Sequence, residues 1–375
     1  MKITICLSAS TLNYPQGAGH LWVYLNWALG FLSNGCRVIW LENVPKGIEE
    51  DKLQANVDVL KTKLSAFGLH DLALWHEDSS TLSLNIRGCL LVDEAAVQSD
   101  FLLNQVYAMP ASVVNKFKKK ILLDIDPGLL QVWMAKKQIH VADHDHYFTI
   151  GETVGKPGSL VPYAGVSWNY IPPCVSLDHW KPTQSSNRKP AFTTISHWNM
   201  DEWEEHDGVM YKNDKRSGYQ PFLNLPSITK VPLELALLFG SDIQEKEDLE
   251  QLGWRIQHSH QVSSTLEDYR NYIQGSLGEF SCVKPSCVIL QNAWVSDRSL
   301  CYLASGKPVI TQFTGNSKML PNNAGMFRFR NIFEAKDHLE MAMSDHDKHC
   351  KLARKLAEEY FDAKQITARM LEKVL

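Results

Sequence analysis

The sequence predicts an α/β protein made of two doubly wound parallel sheets. Three observations carry that expectation. A strand, a glycine-rich loop, a helix and a second strand open the chain; a second alternation of apolar strands and helices begins after residue 190; and 375 residues exceed one ordinary core. With 44% hydrophobic and 21% charged residues and no low-complexity tract, nearly the whole chain is expected to fold.

The first strand is Ile3–Ser8, followed by the loop Asn13-Tyr14-Pro15-Gln16-Gly17-Ala18-Gly19-His20. Leu21, Trp22, Leu25, Ala28, Leu29 and Leu32 then recur at helical spacing, with Asn26, Ser33 and Asn34 on the opposite side and Gly35 as the C-terminal stop. A strand resumes at Arg37–Leu41, completing a βαβ unit and implying a parallel sheet. Apolar runs at Gly88–Val92 and Ile121–Ile125 extend this sheet, with a helix at Ala111–Phe117 between them. Residues 151–180 are irregular, and Lys181–Pro190 has the composition of a linker. The second half places strands at Ala191–Ile195, Trp254–Gln257 and Pro308–Gln312, and helices at Val231–Phe239, Leu266–Gly275 and Arg298–Ser305. Cys350–Phe361 and Ile366–Leu375 read as terminal helices, of a kind that can cross back to the first domain. The expected organisation is 1–180, a linker at 181–190, 191–350 and terminal helices at 351–375. Sheets of this type bind ligands at the carboxyl ends of their strands, so the chemistry is expected between the two lobes.

Composition narrows the function classes. A formal charge of −4 opposes a general nucleic-acid binder, and the basic run Lys116–Lys120 reads as a solvated edge before a strand. The eight cysteines are scattered without a Cys-x-x-Cys pair, as buried reduced thiols are. No stretch of about 18 apolar residues occurs and the first apolar run is too short for a signal peptide, so no membrane span and a cytoplasmic location are expected. His140, His144 and His146 with Asp143 and Asp145 suggest a metal at first sight, but their spacing allows only some to converge, and no metal and no cofactor are expected.

Two runs carry a family resemblance. Gly278-Glu279-Phe280-Ser281-Cys282-Val283-Lys284, with Trp294-Val295-Ser296-Asp297-Arg298-Ser299-Leu300-Cys301-Tyr302-Leu303-Ala304-Ser305-Gly306-Lys307-Pro308-Val309-Ile310, resembles the donor-binding segment of bacterial GT-B glycosyltransferases. The run Gly19 to Glu42 looks like the acceptor-lobe opening of the same proteins, and Phe192-Thr193-Thr194 and the turn Asp124-x-Asp126-Pro127-Gly128 extend the likeness to both halves. The resemblance implies two Rossmann-like domains facing a cleft and transfer of a sugar from a nucleotide-sugar, a UDP-sugar by preference. The acceptor stays open among a small molecule, a glycan and a modified nucleic acid, and so do oligomeric state and anomeric outcome.

Physical reading of the second run agrees with a donor site. Ser296 or Asp297 can cap a helix beginning near Arg298, whose free N–H groups suit a diphosphate. Arg298 and Lys284 can add positive charge for a leaving nucleoside diphosphate without a metal, or Asp297 and Arg298 can simply cap a helix and pair on the surface. Ser299 follows in the same turn. Cys301 stands where many retaining relatives carry a glutamate for donor hydroxyls, which leaves Asp297 and Glu279 as candidate carboxylates. Trp198, just past Thr194, is the candidate ring for stacking on the donor, and the polar segment Asp201–Gln220 a candidate lid.

For the acceptor's proton, His20 resembles the Gly-His of plant-type inverting UDP-sugar transferases, which orient that base through an aspartate about a hundred residues on. Asp124 and Asp126 lie at that distance. His20 can equally be a cap-region residue or an acceptor ligand, and the glycine-rich loop with Gly17 and Gly19 can offer backbone N–H groups to donor phosphates instead. The competing readings are a nucleotide-sugar epimerase or phosphorylase of the same fold, and a non-catalytic nucleotide or sugar binder.

Overall fold

The computed structural model describes residues 2–14, 17–44, 46–76, 86–183, 190–239, 243–320 and 322–375. Pro15 and Gln16 of the first loop and residues 184–189 of the expected linker lie outside them. The chain divides into two compact units: residues 1–155, 162–176 and 363–375 form unit 1, and residues 156–161 and 177–362 form unit 2.

Unit 1 holds strands β1 (Thr4–Ala9), β2 (Arg37–Val44), β3 (Asp71–His76), β4 (Leu90–Leu91), β5 (Phe101–Asn104), β6 (Lys120–Asp124), β7 (His146–Thr149) and β8 (Trp168–Tyr170). They form a parallel sheet in the order β4-β3-β2-β1-β5-β6-β7-β8. The helix Ala18–Ser33 follows β1, and Gly35 takes φ +76 just beyond its end, a conformation that costs glycine little. Asn26, expected to face away, is instead 1% exposed, and its carbonyl accepts the Ser176 N–H at 2.9 Å. The terminal helix Ala363–Val374 belongs to this unit and lies against the first helix at Gly30, where a Cβ would stand 2.6 Å from the Ala363 carbonyl oxygen. Asn34 Nδ2 closes the contact on Thr367 Oγ1 at 2.9 Å.

Unit 2 holds β9 (Phe192–His197), a hairpin of β10 (Trp203–His206) and β11 (Val209–Lys212), then β12 (Leu233–Leu238), β13 (Arg255–His258), β14 (Gly278–Ser281), β15 (Val309–Gln312) and β16 (Met326–Phe329). The parallel sheet runs β13-β12-β9-β14-β15-β16. Its core on one face gathers Trp198, Tyr219, Phe222, Trp254, Phe280 and Phe329, each almost free of solvent. Fully burying such side chains stabilises a fold by about 1.5–3 kcal/mol apiece.

Three of the expected strands and helices come out differently, and one polar segment for which no element was expected gains structure. Val231–Phe239 is not a helix but holds the inner strand β12, because a short continuous apolar run buried on both faces carries no period that separates strand from helix. The run Gly88–Val92 is a strand only at Leu90–Leu91 before the helix Val92–Gln98 begins, and the helix at Ala111 ends at Val114. The polar segment Asp201–Gln220 is an antiparallel hairpin followed by the short helix Lys215–Tyr219.

Candidate functional site

At the carboxyl ends of β9 and β14 in unit 2, two cations come within electrostatic reach. The Arg298 guanidinium donates from Nε to Glu279 Oε1 at 2.7 Å and from Nη1 to the Ile195 carbonyl at 3.0 Å. Burial alone would weaken its hold on the proton; the Glu279 carboxylate overrides that and raises its pKa. Lys215 Nζ donates to the Cys282 carbonyl at 2.8 Å, and burial, with the Arg298 charge next, lowers its pKa to about 8. Sequence reasoning passed over Lys215. Its signal is local: Asp214 stands before the short helix and accepts the Ser217 N–H at 2.8 Å, and Gly218 lets that helix touch the chain after β14, since a Cβ there would lie 2.0 Å from the Val283 carbonyl oxygen.

The other donor-lobe candidates separate by burial. Trp198 is 0% exposed and packs on Tyr219 at 5.4 Å, so its ring belongs to the core and is not a platform for a ligand. Its burial follows from the chain turning back beneath β9, where the Arg216 N–H donates to the Trp198 carbonyl at 3.1 Å. Thr194, Glu279, Ser299 and Cys301 are buried as well. Asp297 lies in the first turn of the helix Asp297–Ala304; Ser296 occupies the cap position without a side-chain cap bond. Lys284 pairs with Glu202 at 2.6 Å, and Asn213 bonds both Glu202 and the Ser286 N–H, which fastens the hairpin to the loop after β14.

In unit 1, His20 is exposed in the first helical turn, and its Nε2 lies 2.8 Å from the Ser10 carbonyl. A carbonyl only accepts, so Nε2 is the donor in this contact, and in the neutral ring it is Nδ1 that carries the lone pair. Gly17 stands at the cap position of that helix, where a Cβ would meet the Tyr14 ring at 2.1 Å, and Gly19 lies within the first turn. Asp124, at the end of β6, is fully buried and accepts from Gln131 Nε2 at 2.8 Å, Thr149 Oγ1 at 2.7 Å and the Asp126 N–H at 3.0 Å. Burial outweighs these bonds and lifts its pKa to about 7. No hydrogen bond joins His20 to Asp124 or Asp126. Two tyrosines stand between them: Tyr24 packs edge-on against the His20 ring at 5.3 Å, and Tyr107 donates to Asp126 Oδ2 at 3.0 Å. Burial drives the Tyr107 pKa up, with Asp126 and Asp124 next and a smaller push from Tyr24, so the four side chains share one neighbourhood.

Glu42, at the end of β2, shapes the same loop. Its buried carboxylate accepts the Thr11 and Leu12 N–H groups at 2.8 and 3.1 Å, Trp40 Nε1 at 2.7 Å and the Thr11 hydroxyl. On the opposite face of the sheet Asn104 links Ser8 to His144, whose Nδ1 meets the Ala142 carbonyl at 2.6 Å. That commits His144 to the fold, and among the described residues no group of three or more His, Cys, Asp or Glu side chains converges to hold a metal. The described residues also contain no helix long and apolar enough to cross a membrane, and none of the eight cysteines is in a disulfide.

No protein-family model matches the chain, and no curated protein is similar in sequence. Solved structures are similar in fold. HepE of Anabaena in complex with UDP superposes with a TM-score of 0.60 at 13% identity, covering 100% of this chain and 99% of that one. An alpha-glucosyltransferase in complex with UDP and a 13-mer DNA containing a HMU base gives 0.61 at 10% identity, covering 100% of both chains. A glycosyltransferase of Rickettsia africae gives 0.57 at 12% identity over 100% and 98%. The two α/β units therefore have the GT-B architecture.

Proposed function

We propose that the chain is a glycosyltransferase that takes a sugar from a nucleotide-sugar, a UDP-sugar by preference, and passes it to an acceptor hydroxyl without a metal ion. The observation that supports this reading is the pairing of Lys215 with Arg298 at the strand ends of unit 2. Lys215 spends one of its three hydrogens on the Cys282 carbonyl, and the other two are available to a diphosphate. An arriving diphosphate would restore full charge to Lys215 and give the departing nucleotide the stabilisation that a divalent ion supplies elsewhere. The fold's likeness to proteins solved with UDP bound points the same way.

In this reading unit 1 holds the acceptor. His20 acts as the base through Nδ1, its tautomer held by the Ser10 carbonyl, and Asp124 and Asp126 act at one remove through Tyr107 and Tyr24. Arg298 serves by placing positive charge and by anchoring Glu279, while Trp198, Thr194 and Ser299 shape the lobe from inside.

Calorimetric titration of UDP, UDP-sugars and other nucleoside diphosphates in the presence of a chelator tests the donor half. Binding of one nucleotide that weakens by roughly tenfold or more in Lys215→Ala, the scale of a lost charge-assisted bond, is expected. Binding unchanged in that variant removes Lys215 from the site, and no nucleotide binding at all removes the transferase reading. His20→Ala should keep donor binding and lose turnover.

A further inference from the structure

We infer that unit 2 carries a further binding site, a cavity where β9 and β12 begin that takes a small organic cation, a protonated amine or a guanidinium, with Glu234 as its counter-charge. The inference goes beyond the transferase reading and does not depend on it.

The cavity has a volume of about 150 Å³, and its wall includes Thr193 and Glu234 of the sheet and Asn271, Tyr272, Gly275 and Ser276 at the end of the helix Leu266–Gln274. A space of that size holds a ligand of about six non-hydrogen atoms. Glu234 is only 9% exposed. Both hydrogen bonds its side chain receives fall on Oε1, from Gln257 Nε2 at 2.9 Å and from the Tyr272 hydroxyl at 2.8 Å. Oε2 has no partner among the described residues and stays within reach of solvent, which on a residue lining the cavity means that it opens there. Thr193 does not serve it, because its hydroxyl is closed on the Tyr302 hydroxyl at 2.7 Å.

The charge of this carboxylate is not balanced from within the described residues. Arg255 stands in register beside Glu234 on β13, and Arg270 lies two residues before Tyr272, yet neither forms an ion pair with Glu234. Arg298, on the helix that also carries Tyr302, is committed to Glu279. Arg188 and Lys189, shortly before Ala191, lie outside the described residues. The opposite wall of the cavity adds to the negative potential, since Asn271 to Ser276 belong to the carboxyl end of a helix, where its dipole favours cations. A carboxylate held nine-tenths out of water gains most from a ligand that brings a positive charge. A divalent metal ion asks for six or more oxygen ligands, and one free carboxylate oxygen does not supply them. An ammonium or guanidinium group needs only a few acceptors. Glu234 Oε2 provides the charged one, and the Tyr272 hydroxyl oxygen and the Asn271 side-chain amide, which makes no hydrogen bond among the described residues, provide others.

The test titrates the full chain with butylammonium and with methylguanidinium, followed by calorimetry and ligand-observed NMR at about 150 mM sodium chloride, where unspecific surface attraction is screened. Butanol and butyrate serve as the neutral and anionic counterparts of butylammonium. At least one of the two cations should bind, with butanol and butyrate weaker by about tenfold or more. Glu234→Gln keeps the shape of the side chain and an oxygen for Gln257 and Tyr272, and should weaken the cation roughly tenfold by removing the charge. Asn271→Phe is the second variant. Asn271 is exposed on the rim, so a larger side chain there blocks the cavity and leaves Glu234 in place, and binding should be lost even if Glu234→Gln does not fold. Wild type that binds neither cation overturns the inference, as does butanol or butyrate bound as tightly as butylammonium. So does affinity unchanged in a folded Glu234→Gln or in Asn271→Phe. Binding that appears only when Arg188 and Lys189 are both replaced by serine also overturns it, because the counter-charge of Glu234 then comes from the chain itself.

Discussion

Arg298 and Glu279 form a salt bridge of 2.7 Å in which the carboxylate side chain has no exposed surface and the guanidinium side chain is 12% exposed. The pair joins the helix Asp297–Ala304 to β14, and the second arm of Arg298, on the Ile195 carbonyl, carries it across to β9. Removing one member strands the other as a buried charge. Arg298→Ala is therefore expected to destabilise unit 2 by about 3–5 kcal/mol, whereas the double variant Arg298→Met with Glu279→Leu should recover most of that loss. Urea denaturation of wild type, Arg298→Ala and the double variant measures both changes, and an Arg298→Ala effect below about 1 kcal/mol contradicts a buried pair. Nucleotide affinity lost in Arg298→Ala thus reports folding as well as contact, which is why Lys215 is the better probe of the donor site.

Lys215 carries a pH dependence with a definite sign. Its folded pKa, about 8, lies below the usual value of 10.5, so the unfolded chain binds more protons between these limits. Stability contributed by this group accordingly rises as pH climbs from about 8 toward 10.5, and below 8 the charged amine costs the fold. Diphosphate binding should move oppositely, falling above about pH 8 as the amine becomes neutral. Affinity for UDP measured from pH 6.5 to 9.5 should show that fall in wild type, and Lys215→Arg, whose charge does not titrate in this range, should bind with a flat profile.

Much of the architecture was legible because it is written in local pattern. The glycine-stopped helix before Arg37 and the apolar strands at Ile3, Ile121 and Pro308 carry their period and punctuation in sequence, and a parallel sheet follows from their order. Leu233–Leu238 was not legible, because a strand buried on both faces has no alternation to read. The site was legible by type and less so by arrangement. Asp124 and His20 are both at strand or helix ends as expected, yet the residues that relate them, Tyr24 and Tyr107, come from a helix face and a loop whose meeting depends on β5 lying between β1 and β6. Lys215 was hidden for a similar reason: its importance comes from a helix docked on Val283 far along the chain, and Trp198 looked like a surface ring only because the turn that buries it is made by Arg216.

Asp124 predicts a second pH dependence, of opposite sign to that of Lys215. Its folded pKa of about 7 exceeds the usual value of 3.8, so the native state binds more protons in that window. The stability it contributes is fully present below about pH 4 and is lost as pH rises toward 7. Asp124→Asn abolishes this titration. It also turns one carboxylate oxygen into a donor among Gln131, Thr149 and the Asp126 N–H, at a cost on the order of 1–3 kcal/mol. The difference in unfolding free energy between variant and wild type should therefore shrink steadily from pH 4 to 7.5. A difference independent of pH means that Asp124 is ionised throughout.

Gly30 offers a test of how the terminal helix is held to unit 1. A Cβ at this position would meet the Ala363 carbonyl oxygen at 2.6 Å and Thr367 Cγ2 at 2.8 Å, both on the helix Ala363–Val374. The helix is also tied by the Ala363 N–H on the Val175 carbonyl at 3.0 Å and by Asn34 on Lys364 and Thr367. Backbone cannot give way as a flexible side chain can, so Gly30→Ala must push the terminal helix outward and break part of this set, although alanine is the better helix former by about 1 kcal/mol. Limited proteolysis should then cut within residues 363–375 at a rate well above wild type, while residues 177–362, which form the other unit, keep their own resistance. Removing the Asn34 ties through Asn34→Ala should give a smaller increase, since the close backbone approach survives it. Equal protease resistance in Gly30→Ala and wild type means that the two helices do not lie in the contact described.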